Sequence, residues 1–144
     1  MMVLCFCVAL ARSSHGQAFD PPRYDMGAPV FTNLWVNPVS GNDAASGYSS
    51  NQALRTVAEA WGRIPSGQTL GSHGYRILLL PGDYPESALP AYWEARYGTY
   101  AAPVVVQAVA GPGTARLHGY LNIYDCRYLY LLDFDAVTDP GYGG

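Results

Sequence analysis

The chain has 144 residues, enough for one domain with a buried core. Its eight cationic side chains, all arginine, stand against eleven carboxylates for a net charge of −3, and no basic run exists to grip a nucleic-acid backbone. Twelve tyrosines, sixteen glycines and eleven prolines suit a turn-rich β protein, and the lack of lysine removes one common catalytic base.

The N-terminus opens with an unbroken apolar run, Met1-Met-Val-Leu-Cys-Phe-Cys-Val-Ala-Leu-Ala11, followed by small residues near Gly16 and Ala18. Such a run is too short to span a bilayer but matches the apolar stretch of a secretory signal, although the usual preceding positive charge is lacking. Residues 1–18 are therefore read as a signal peptide and the protein as secreted, extracellular or periplasmic. An apolar strand or an uncleaved anchor are the alternatives, and no stable membrane span is expected after cleavage. Cys5 and Cys7 would leave with the signal. Cys126 would then have no intrachain partner, and it reads as a small buried hydrophobe.

Residues 19–33 are rich in Pro, Gly and Asp and read as an extended linker. Residues 34–37, Leu-Trp-Val-Asn, predict a brief strand that Pro38 stops. Residues 41–50 are a loop by composition. Asn42 and Asp43 offer too few oxygens for calcium, so a turn is expected in which both side chains bond the local backbone. Thr56 then starts a helix as its N-cap, with Glu59 at the reciprocal position of a capping box. Val57, Trp61 and Ile64 make one apolar stripe, and Pro65-Ser-Gly67 ends the helix. So short a helix is marginal alone, and its stripe must dock on something large and apolar.

Further strands are predicted at 77–80, 104–109, 115–118, 121–123, 128–132 and 134–137. No second helical pattern lies between them, which argues against a βαβ sheet. Leu79, Val105 and Leu131 stand at equal steps of 26 residues, as in stacked solenoid coils. An antiparallel sandwich fits the pattern as well.

Three motifs in order carry a resemblance. Trp35-Val-Asn-Pro-Val-Ser-Gly-Asn-Asp43, then Leu54-Arg-Thr-Val-Ala-Glu-Ala60, then Ile77-Leu-Leu-Leu-Pro-Gly-Asp-Tyr-Pro-Glu86 look like the opening of secreted right-handed parallel β-helix proteins. This is the pectate-lyase-like superfamily, including its chondroitinase-B-like branch, and the likeness runs over about residues 34–137. It implies an all-β fold, a right-handed parallel β-helix (solenoid) with one N-terminal capping α-helix. Residues 34–144 would be the cap and the first coils, roughly two to three at the spacing of such solenoids. The helix would plug the N-terminal end, Gly82 would turn the chain out of the first strand, and Asp133 would occupy a turn position. Members stack many coils and hold their active sites on middle or later ones. The chain accordingly reads as the N-terminal portion of a longer protein, inactive by itself, whose partners include further coils of its own chain.

Lyases of this superfamily abstract a proton beside a uronate carboxylate, with Arg or Lys as base and calcium or a cation stabilising the anion. The resemblance thus implies a protein that acts on or binds an acidic polysaccharide. It is either a polysaccharide lyase whose catalytic coils lie beyond residue 144 or a non-catalytic glycan-binding, adhesion or structural module. No family base maps onto a residue here. No cofactor is evident in the sequence, and Ca2+ enters only through the resemblance. Its weak candidate ligands are Asp133 and Asp135, which share a face in a regular strand, with Asp125 and Asp139 as further carboxylates. Arg116 and Arg127 are expected on the outer surface. His73 and His118 lack metal-ligand spacing, His118 reading as a surface or hydrogen-bonded histidine, and no nucleophile elbow, phosphate loop or dinucleotide fingerprint occurs. Residues 86–102 read as a long loop carrying Tyr92, Trp93, Tyr97 and Tyr100. These rings could stack on sugars as a glycan platform or pack the loop onto the coil.

Overall fold

In the computed structural model, which describes residues 26–138, every strand ladder is parallel. The expected signal peptide, the first part of the expected linker, and Asp139 lie outside the described residues. β1 (Phe31–Val36), β2 (Gly74–Leu79), β5 (Val104–Ala108) and β8 (Leu129–Leu132) form one sheet in that order. β3 (Gly82–Tyr84), β6 (Ala115–His118) and β9 (Asp135–Val137) form a second, and β4 (Arg96–Tyr97) with β7 (Cys126–Arg127) a third. From β2 onward the chain visits the first, second and third sheets in turn and then repeats, each strand landing beside its predecessor. Strands dominate, and the antiparallel sandwich left open by the sequence is excluded by the direction of every pairing.

The equal steps of 26 residues are absent. Tyr75 pairs with Val104 and Val104 with Leu129, steps of 29 and 25. In the second sheet Gly82 pairs with Ala115 and Arg116 with Asp135, steps of 33 and 19. Connections between the sheets absorb these differences, because only the lateral hydrogen bonding fixes which residues face each other. The expected linker ends early: residues 31–33 already belong to β1. Residues 121–123 form no strand, and Ile123 contributes only an isolated bridge to Trp93. The short strands β3, β4 and β7 escape sequence reading because two or three residues cannot display an alternation.

The core follows from register. Leu34, Ile77, Val106 and Leu131 occupy one column across the first sheet, and Val36, Leu79 and Ala108 another. All seven belong to the apolar cluster or pack against it. Fully burying such a side chain contributes about 1.5–3 kcal/mol, so a column of this kind outweighs any single surface contact. Tyr84 joins the cluster with no exposure, and its hydroxyl donates to the carbonyls of Leu80 (2.7 Å) and Val36 (3.1 Å). Burial pushes its phenol well above the ordinary range.

The helix α1 (Val57–Gly62) buries Val57, Ala60 and Trp61 against β1 and β2. Its N-cap is Thr56, whose hydroxyl accepts from the Glu59 amide at 3.1 Å. The other half of the capping box differs from expectation. Glu59 pairs with Arg63, while the Thr56 amide donates to Asp43 at 2.9 Å. Asp43 also accepts from the Arg55 amide and the Thr56 hydroxyl, so it reaches across the loop rather than bonding the local backbone. Asn42 does make the local turn, to the Ala44 amide. At the other end, buried Arg96 on β4 donates to the Trp61 carbonyl through Nε and Nη2 and lies over the Trp61 ring. A carbonyl near a helix C-terminus is the place where a cation is favourable.

Trp61→Ala is expected to destabilise the protein by about 3–5 kcal/mol, as for other large aromatic truncations in a core. Gly74→Ala should destabilise it too, since a Cβ there would stand 2.1 Å from the Pro103 carbonyl oxygen. Urea denaturation would show both as lower midpoints with an unchanged slope.

Candidate functional site

The four aromatic residues read as either a glycan platform or loop packing separate into three environments. Tyr92 is 56% exposed and meets Tyr124 edge to face, ring centroids 5.8 Å apart. Tyr97 is half-buried on β4, donates from its hydroxyl to the Asp125 carboxylate at 2.6 Å, and lies under the Arg127 guanidinium at 4.7 Å. Trp93 is fully buried, packs edge to face on Trp61 at 5.0 Å, and leaves its indole N–H without a hydrogen-bond partner. It serves the core and cannot present a ring face to a ligand. Tyr100 is exposed but stands elsewhere, beside residues 26–30 and Ala101.

Register explains this sorting. Arg96 faces Cys126 and Tyr97 faces Arg127 in the third sheet, while Trp93 bridges Ile123 just before it. Inward positions on these two levels hold Trp93, Arg96 and Cys126. Outward positions hold Tyr92, Tyr97, Tyr124, Asp125 and Arg127, a strip of rings bordered by charges. Ala95 and Asp125 both adopt left-handed backbone, φ 55° and 47°, and the Ala95 amide donates to the Asp125 carbonyl, so the same bend is stacked on both levels. Tyr124 is the member that sequence reading missed. Its only signal is its place two residues before Cys126, which becomes visible once Cys126 is aligned on Arg96. The Glu94 carboxylate near the Tyr124 hydroxyl raises its pKa. Cys126 is half-buried, donates its thiol to the Trp93 carbonyl at 3.2 Å, and is pushed up by burial.

A second feature lies at the other end of the same turns. A cavity of about 460 Å³ is bordered by Asp83 on β3, the turn at Pro85, Glu86 and Ser87, and His118, Gly119 and Tyr120 leaving β6. Asp83 accepts from Arg116 at 2.9 Å and bonds His118 Nε2 at 2.8 Å. These two partners hold the Asp83 carboxyl below its ordinary value, the His118 hydrogen bond first and Arg116 second. The sequence placed His118 and Arg116 on the surface, but it gave Asp83 no role and did not bring the three together.

The weak metal candidates lie at and just after the bend that leaves β8. Asp133 sits at the bend between β8 and β9 with φ 63°, so the chain is not a regular strand there, and its carboxylate accepts from Gln107 at 3.1 Å. Asp135 opens β9 opposite Arg116. Among the described residues no group of three or more His, Cys, Asp or Glu is placed to hold a metal, whereas calcium takes six to eight oxygens. No helix among them is long and apolar enough to cross a membrane.

No family model matches the chain, and comparison with curated proteins and with solved structures gives no match. Function must be argued from the site itself.

Two titrations follow. A carboxyl lowered in the folded state supports its pairing above the ordinary value of 3.8, and the support is lost as pH falls through the lowered pKa. NMR titration should therefore find Asp83 still ionised where exposed carboxyls are half protonated, and Arg116→Ala should shift it upward. For Tyr97 the Asp125 hydrogen bond raises the phenol above 10.0, so it should ionise later than a free tyrosine. Asp125→Asn should bring that ionisation back down, read from the ring carbon shifts.

Proposed function

We propose that this chain is the cap and first coils of a secreted right-handed parallel β-helix, and that the outer face of β4 and β7 binds polysaccharide. The observation that carries the binding is the exposed pair Tyr92 and Tyr124, rings from successive levels standing together beside Tyr97 and Arg127. Supporting the fold are the all-parallel pairing and the repeated order of visits to three sheets, since a parallel neighbour can be reached only by a long crossover. The right-handed sense is the one that crossover connections overwhelmingly take. Secretion is supported by the apolar run at the N-terminus.

Aromatic faces give a sugar ring large contact area, and neighbouring hydroxyl and carboxylate groups fix its orientation. Glu94 and Asp125 flank the strip with Arg127 among them, a balance that suits uncharged sugars better than a polyuronate. Binding rather than uronate cleavage is therefore the activity assigned to this face.

The double variant Tyr92→Ala, Tyr124→Ala should bind a responsive polysaccharide about tenfold more weakly, the size expected when ring contacts are removed. Affinity electrophoresis across neutral and acidic polysaccharides, with circular dichroism to verify folding, measures this. Unchanged retardation of the folded double variant on every polymer that retards the parent would overturn the reading.

A further inference from the structure

We propose that the cavity between β3 and the exit of β6 is a separate binding site for one uncharged, hydroxyl-rich sugar ring. At about 460 Å³ it lies within the range of small-ligand sites, roughly 300–1,000 Å³. Its border combines carboxylates at Asp83 and Glu86, an imidazole at His118, a hydroxyl at Ser87 and the ring of Tyr120. That mixture offers several convergent hydrogen-bonding groups and one flat apolar face, which is what a pyranose presents in complement.

Three features argue that the site is shaped rather than incidental. Gly119 has φ 129°, and a Cβ there would stand 2.9 Å from Glu86 Cγ, so the Glu86 side chain lies directly against the backbone leaving β6. A substituted residue would both strain the backbone and push Glu86 aside. Asp83 is held by Arg116 and His118, yet a carboxylate has about four lone-pair sites and can accept more from a ligand hydroxyl. Tyr120 is 51% exposed and borders the cavity.

Charge selects among ligands. Arg116 offsets Asp83, while Glu86 adds a second carboxylate to the border, so a uronate or phosphate would meet repulsion. A purely apolar ligand would strand the polar groups, which costs more than leaving them in water. An uncharged polyol avoids both penalties.

The site does not depend on the aromatic strip, although the two are close along the chain. Tyr120 and Tyr124 are four residues apart, so their backbones are within roughly 14 Å even at full extension. One oligosaccharide could engage both.

The test uses the full chain with short neutral pyranose oligosaccharides and their uronate counterparts, followed by NMR shifts of the His118 and Tyr120 rings. Neutral sugar should move both rings, and Tyr120→Ala should weaken that binding about tenfold. Glu86→Gln, which keeps the shape and removes a charge, should retain the neutral sugar and gain affinity for the uronate. Tyr92→Ala with Tyr124→Ala should leave the cavity response in place, which separates this site from the strip. Neutral sugar that shifts only the strip would overturn this site while leaving the strip's role standing. Stronger perturbation of the cavity by uronate than by neutral sugar would overturn it as well, as would a neutral-sugar response that folded Tyr120→Ala leaves unaltered or a uronate affinity that Glu86→Gln does not raise.

Discussion

Parallel pairing is the constraint from which the rest of this structure follows. Two antiparallel strands can be joined by a tight turn, but a strand that must lie parallel to its predecessor has to be reached by a crossover of a dozen or more residues before it can pair. Here that detour is used twice over, for it places β3 and β4 on further sheets before β5 returns beside β2. Apolar columns such as Leu34, Ile77, Val106 and Leu131 arise because lateral hydrogen bonding brings like positions together at every return.

The same lateral alignment pairs the outward residues, and there chemistry rather than apolarity is matched. Asp83 faces Arg116, and Arg116 faces Asp135, an alternation of sign running across β3, β6 and β9. Tyr97 faces Arg127, and Gln107 reaches Asp133. Exposed pairs of this kind contribute little to stability individually, in the range of about 0–1 kcal/mol. Their effect is to hold side chains in fixed places on an otherwise mobile surface, which is what a binding face needs.

Much of the frame was legible because its signals are local. Thr56 with Val57, Trp61 and Ile64 announced the helix, and the runs around Ile77 and Val104 announced the long strands. What could not be read depends on alignment between distant residues. Asp43 capping the helix thirteen residues ahead, Trp93 turning inward while Tyr92 turns out, and Asp83 meeting His118 all require knowing how one level sits on the next. Unequal steps hide that alignment: a chain advancing by 33 and then 19 residues along one sheet offers no constant period to find. Neither local patterns nor the resemblance supplies the facing partners, so the sequence leaves Trp93 between platform and packing and gives Tyr124 no role.

Arg96 has a consequence for where this chain can be divided. Its guanidinium satisfies the Trp61 carbonyl and lies over the Trp61 indole, although the two residues belong to different levels. The helix is therefore not a detachable lid. A piece ending before residue 96 would keep the helix but lose its anchor, exposing the indole and leaving the Trp61 carbonyl with only the backbone amides of Arg63 and Ile64. The smallest portable unit is thus set by an ion rather than by a loop, and any graft of this helix onto another stack must bring an arginine on the following level with it.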